Sequence, residues 1–125
     1  MADEPIGDKP LHQKLGIKPG MAIAALRFPT IDFLNGAPYD SYIESGKLYD
    51  LILVRIDEFP HLRDLHGLKW SLAERGGLWV IYPKGQKHIT QQQVMFAGNA
   101  NAFTDNKVVR FSDTHTGLRF VRRLK

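Results

Sequence analysis

Apolar positions in this chain fall into short continuous runs separated by segments of helical length, and that alternation predicts the fold. The run "MAIAALRF", residues 21–28, is nearly all apolar, as expected of a strand covered on both faces. Pro29 ends it. A partial helical stripe of Ile31, Leu34, Tyr39, Tyr42 and Ile43 follows, and Gly36 and Pro38 interrupt it, so a broken or late-starting helix is expected over about 31–45. "YDLILVRID", residues 49–57, is a second buried strand. From 59 to 74 the apolar residues Leu62, Leu65, Leu68, Trp70 and Leu72 recur at mostly helical spacing, predicting a helix that Arg75-Gly76-Gly77 terminates. "LWVIY", residues 78–82, makes the third strand and runs straight into a Pro-Lys-Gly turn. Thr90 followed three residues later by Gln93 marks a capping box that opens another helix. A short amphipathic helix, "PLHQKLG", precedes all of these and stops at Gly16. At the other end, "NKVVRFS" and "GLRFVRRL" flank "DTHTG" and read as two antiparallel strands.

Strands separated by helix-length segments pair in parallel through right-handed crossovers, whereas the terminal hairpin must pair antiparallel. The expected fold class is therefore α/β, a three-layer doubly wound sandwich of about five strands, mostly parallel, with an antiparallel C-terminal hairpin. The last strand is expected to insert between the third and the fourth. One domain is expected over 10–125, after a flexible N-terminal segment of residues 1–9.

Composition narrows the chemistry. The chain of 125 residues holds no cysteine, which excludes disulfides, thiolate metal sites and cysteine nucleophiles and fits a reducing compartment. The opening "MADEPIGDKP" carries acids where a secretory signal would carry basic residues and an apolar run, so a cytoplasmic protein without membrane contact is expected. A net charge of +4 concentrates at the C-terminal end, where Lys107, Arg110, Arg119, Arg122, Arg123 and Lys125 face only Asp113. Such a field attracts phosphates, but few aromatics interleave with the charges, so a solvated strand face is favoured over nucleic-acid binding through Arg119, Arg122 and Arg123. His61 and His66 lie five residues apart on one expected helix, off a common face, and no metal site is expected. The serines lie outside any nucleophile-elbow context, and phosphate-loop and dinucleotide fingerprints are missing.

The order of pieces resembles a known core. "KLGIKPGM" leading into the first strand, "YDLILV", a helix closing in "ERGGLWVIYPKG" and a final helix plus hairpin look like class I S-adenosylmethionine-dependent methyltransferases. The same motifs resemble more closely a small bacterial family of domains of unknown function, over about residues 10–124. The resemblance implies a Rossmann-like, methyltransferase-like sandwich. Methyltransferases end their first strand in an acidic residue and a glycine-rich turn, so that backbone can approach the cofactor. Here Arg27 stands about where the acid would be, and Phe28 and Pro29 replace the glycines. The strand whose acidic end grips the cofactor ribose is expected to be missing, because 29–48 leaves room for one crossover helix only.

In sheets of this kind ligands bind outside the carboxyl ends of the parallel strands. The first strand delivers Arg27, Thr30 and Asp32; the second Arg55, Asp57 and Glu58; the third Tyr82, Lys84 and Gly85, with Lys87 and His88 just beyond. Arg27, Arg55 and Lys84 suit an anion, helped by the amides around Gly85, and a sufficiently buried Asp57 or Glu58 suits a general base. The plainer alternative is that Asp32 and Glu58 begin helices while Asp57 and Lys84 pair across a solvated rim. Asp113 and His115 share the hairpin loop, where Asp and Thr are expected to make local turn hydrogen bonds rather than to serve catalysis. These observations favour a non-catalytic module without a cofactor that binds a small anionic ligand or a protein, with a homodimer open. A divergent S-adenosylmethionine-dependent methyltransferase, or another enzyme on an anionic substrate, is the alternative.

Overall fold

The computed structural model describes residues 9–123, so most of the expected N-terminal segment 1–9 and the last two residues of the expected domain lie outside the described residues. Five strands form one sheet: β1 (Ile23–Leu26), β2 (Tyr49–Arg55), β3 (Leu72–Pro83), β4 (Phe103–Arg110) and β5 (His115–Arg122), in the spatial order β1-β2-β3-β5-β4. β1 pairs with β2 and β2 with β3 in parallel, whereas β5 pairs antiparallel with both β3 and β4. Four strands therefore point one way and β5 the other, with β5 inserted between β3 and β4 as the sequence predicts.

Two cores lie on opposite faces of this sheet, which makes the fold three-layered. Strand alternation sends Ala24, Ile52, Val54, Leu78, Val80, Leu118 and Phe120 to one face. There they meet Leu62, Leu65 and Leu68 and the helix α2 (Gln91–Ala100) through Val94. Ile23, Ala25, Leu51, Leu53, Trp79 and Ile81 point to the other face, against Leu15, Phe33 and Leu34. The indole Nε1–H of buried Trp79 donates to the Leu15 carbonyl at 2.9 Å, tying the short helix α1 (Leu11–Lys14) and its exit to the sheet.

The connections depart from the sequence expectations. The expected helix over 59–74 is instead two 3-10 segments, Phe59–Leu65 and Leu68–Ser71, separated by Gly67 at φ 79°. A 3-10 helix stacks residues three apart on one side, so Leu62 and Leu65 are buried without an α-helix, and the second segment buries Leu68 beside them in the same core. Strand β3 begins at Leu72, and Arg75-Gly76-Gly77 lie inside it rather than closing a helix. The stretch expected as a broken helix over 31–45 holds one 3-10 turn, Asp32–Leu34, closed by Asn35 at φ 53°. β1 is shorter than the apolar run that predicts it. α2 matches its sequence signal: the Thr90 hydroxyl accepts from the Gln93 amide at 3.2 Å, and the Gln93 side chain accepts from the Thr90 amide at 2.9 Å. No helix among the described residues is long and apolar enough to cross a membrane.

Candidate functional site

Inserting β5 beside β3 is what assembles the site. In that register His115 lies opposite Pro83, and the Lys84 amide donates to the Thr114 carbonyl at 3.0 Å, so the hairpin loop sits against the carboxyl ends of the parallel strands. His115 is 9% exposed, a buried polar side chain at the start of β5. Its Nε2 lies 2.8 Å from Asp57 Oδ1, just past the end of β2, and Arg55 Nε donates to Asp57 Oδ2 at 2.7 Å. Burial pushes the Asp57 pKa up, but the hydrogen bonds and charges of His115 and Arg55 outweigh it and hold the carboxyl below its usual value.

A carboxylate can only accept, so a neutral His115 in this network would carry its proton on Nε2 and turn Nδ1 to the Thr114 hydroxyl, 2.8 Å away. Two more histidines grip the Asp57 backbone. Its amide donates to His61 Nδ1 at 3.2 Å, and its carbonyl accepts from His88 Nε2 at 2.9 Å. Asp57 is thus a hub that ties together the ends of β2 and β3, the 3-10 segment after β2 and the start of β5. The line Asp57, His115, Thr114 is a carboxylate-imidazole-hydroxyl relay whose last member faces solvent. A ligand hydroxyl that replaced Thr114 at Nδ1 would meet an imidazole already oriented as a base.

The other candidates distribute as follows. Arg27, at φ 71°, is exposed and pairs with Asp64 at 2.6 Å rather than reaching Arg55 or Lys84. Thr30 and Asp32 are exposed on the loop after β1, and Asp32 opens the 3-10 turn. Glu58 is exposed at the start of the next 3-10 segment and forms no side-chain cap. Asp57 pairs with Arg55 and His115, not with Lys84 across the rim. Buried Tyr82 donates to Gln91 Oε1 at 3.1 Å, and burial raises its pKa above the usual tyrosine value. Lys84 and Gly85, the latter at φ 72°, border a cavity of about 280 Å³ with Tyr82, Ile89, Gln91 and Thr116.

Just past the carboxyl end of β1, three aromatic rings pack together. The Phe28 ring packs on Phe33 at 4.7 Å between centroids, and Phe111 completes the cluster at 5.2 Å from Phe33 and 6.0 Å from Phe28. On the outer edge of β1, where the further strand is expected to be missing, the described residues show a single parallel bridge between Ala24 and Asp40. The Ala25 amide donates to the Asp40 carbonyl and the Asp40 amide to the Ile23 carbonyl, each at 2.9 Å. The Asp40 carboxylate accepts from Tyr49 Oη at 2.5 Å and from Lys47 at 2.9 Å, and these bonds hold its pKa down. The basic residues of the hairpin divide between faces. Arg119 pairs opposite Trp79, whereas Arg122 and Arg123 donate to the backbone carbonyls of Leu72 and Asn99.

No protein-family model and no curated protein matches the chain. Solved structures do resemble it. A ribosomal protein L11 methylase from Lactobacillus delbrueckii subsp. bulgaricus superposes with a TM-score of 0.62 at 15% identity, over 90% of this chain and 75% of that one. The methyltransferase CcbJ from Streptomyces caelestis gives a TM-score of 0.62 at 6% identity, over 98% and 91% of the two chains. A magnesium protoporphyrin IX methyltransferase from Synechocystis, solved with SAH bound, gives 0.60 at 10% identity, over 83% and 75%. The chain thus has a methyltransferase-like Rossmann fold.

Proposed function

We propose that this chain is a methyltransferase-like binding module that has closed the cofactor crevice with its own side chains and takes a small anionic ligand at the carboxyl ends of β2 and β3. The carrying observation is the Phe28, Phe33 and Phe111 cluster at the exit of β1, where cofactor binding needs a glycine turn and open space. The Arg27 to Asp64 pair braces the same loop. Lys84 and the amides around Gly85 border an open cavity and supply the charge for an anion. Its volume of about 280 Å³ lies at the lower limit for drug-sized ligands, which suits a small anion better than a nucleoside cofactor.

A second reading, a divergent methyltransferase, is supported by the fold it shares with such enzymes and by the Asp57 to His115 pair as a base for a methyl acceptor. Amide NMR titration of the labelled protein separates the two. The binding-module reading expects no shifts at Arg27 or Asp57 with millimolar S-adenosylhomocysteine, and saturable shifts at Lys84 and Gly85 with inorganic phosphate. Saturable shifts centred on Arg27 and Asp57 with S-adenosylhomocysteine would overturn it in favour of the methyltransferase.

A further inference from the structure

At the opposite edge of the sheet, near the amino ends of the parallel strands, a second cavity of about 310 Å³ is bordered by Lys14, Arg75, Lys107 and Arg119. Its acidic neighbour is Asp50, and one oxygen of that carboxylate already accepts the Ala22 amide at 2.8 Å. Four cations against one carboxylate leave the cavity positive. The seat of Arg119 is built into the backbone. A methyl group on Gly77 would lie 2.6 Å from Arg119 Nη2 and 2.8 Å from its Nε, so the guanidinium rests directly on the main chain of β3. Gly77 lies outside the left-handed region, so glycine is needed there for space and not for backbone freedom.

Arg119 has no carboxylate partner among the described residues; its side-chain bond is a long one, 3.4 Å from Nη1 to Asn106 Oδ1. Burial lowers its pKa from the usual arginine value, as expected of a desolvated cation without a counter-charge. A half-buried, fixed guanidinium ringed by three flexible cations is the arrangement that recognises a phosphoryl oxygen fork.

We propose that this cavity is a binding site for a small phosphorylated molecule, with Arg119 seated on Gly77 as its anchor and Lys14, Arg75 and Lys107 neutralising the remaining charge. The phosphate belongs to a small molecule rather than to a nucleic-acid backbone because the basic residues do not line one face. Arg119 is recessed on the Trp79 side, whereas Arg122 and Arg123 turn to backbone carbonyls of Leu72 and Asn99. A nucleic-acid strand needs a continuous exposed cationic track.

The test is titration of the whole chain with inorganic phosphate at constant ionic strength, followed by amide NMR and calorimetry, on the natural sequence and on Arg119→Gln, Gly77→Ala and Lys107→Gln. The expected result is saturable shifts centred on Gly77, Lys107 and Arg119, separate from any at Lys84 and Gly85. Arg119→Gln should weaken phosphate binding about tenfold to a hundredfold, the scale of a lost charge-assisted bond. Gly77→Ala should weaken it in the same direction with every charge kept. Circular dichroism checks that each variant folds. Should Arg119→Gln unfold, exposed Lys107→Gln carries the comparison. Absence of saturable shifts at Gly77 and Arg119, or unchanged affinity in both charge variants, would overturn the proposal. So would a single-stranded oligonucleotide without terminal phosphates that binds more tightly than phosphate and loses affinity on Arg122→Ala and Arg123→Ala.

Discussion

Replacing Gly98 with alanine tests how closely α2 is pressed onto the sheet. Alanine in a helix interior normally stabilises relative to glycine by about 1 kcal/mol. Here the added Cβ would come 2.1 Å from Phe120 Cε2 and 2.6 Å from Cζ, well inside contact distance. The ring cannot swing clear easily, because Phe120 is fully buried and meets Phe103 edge-on at 6.3 Å. Overpacking of this kind costs about 1–3 kcal/mol, and the rigid obstacle places it toward the upper end. The net effect is a destabilisation of about 1–2 kcal/mol, or a melting temperature lower by about 4–8 °C for a chain of this size. Urea unfolding followed by circular dichroism reads the change. Phe120→Leu removes the clashing ring atoms, so in that background Gly98→Ala should lose its cost and reveal the propensity gain, with a coupling of about 1–3 kcal/mol. A rise in the unfolding midpoint on Gly98→Ala alone would refute the close approach. The same helix carries Gln91, which accepts from Tyr82, so its displacement would also disturb the strand-end cavity.

Two further perturbations probe the site directly. The folded Asp57 carboxyl lies below its unfolded value of about 4, so its contribution to stability is present above that pH and is lost as pH falls through the folded value. Asp57→Asn should therefore flatten the acid limb of the stability curve and cost about 1 kcal/mol at neutral pH, a modest figure because the side chain is 40% exposed and solvent screens it; parallel acid limbs in variant and natural sequence would remove the argument. Thr90→Ala should cost about 1 kcal/mol through loss of the capping box and raise amide exchange at Gln93, whereas Thr90→Ser, which keeps the oxygen, should restore both. Equal losses in the two Thr90 variants would mean the hydroxyl is not the cap.

The centres of β1, β2 and β3 were readable because they are apolar on both faces, whereas the start of β3, with exposed Glu74 and Arg75, was taken into the expected helix. Connections were less readable. A leucine every third residue satisfies an α-helical stripe and a 3-10 stack equally, and Gly67 and the local geometry decide between them only in three dimensions. At the site, Asp57, Arg55, Lys84 and Gly85 follow from the rule that ligands bind at strand ends, but the partners of Asp57 do not. His115 is fifty-eight positions away from it. Its role depends on β5 inserting beside β3, which was expected from the order of elements, and on the register that sets His115 opposite Pro83, which only the structure shows. The local expectation for the loop holds in part, since Ser112 accepts from the Thr114 and His115 amides while Asp113 pairs with Arg110.

The bridge at Asp40 accounts for how a methyltransferase-like sheet is built with so short an excursion between β1 and β2. In a doubly wound sheet the crevice forms where the chain leaves one strand outward over one face and returns inward over the other. Phe33 and Leu34 carry the chain outward on the Trp79 face; Asp40 pairs with β1 in parallel; Ile43 then packs on the opposite face before β2 begins. One residue does the topological work of a whole strand. The switch between β1 and β2 is therefore retained, but such a short excursion brings Phe28, Phe33 and Phe111 together at its mouth, and the acid that the excursion carries turns to Tyr49 and Lys47. One strand further along, Lys84 borders the strand-end cavity, and the exposed Thr114 ends the Asp57 relay with its hydroxyl on His115. The proposed binding is therefore assigned to the strand-end cavity beside β3, where Lys84 and Gly85 border open space, rather than to the β1 turn, where three aromatic rings pack together.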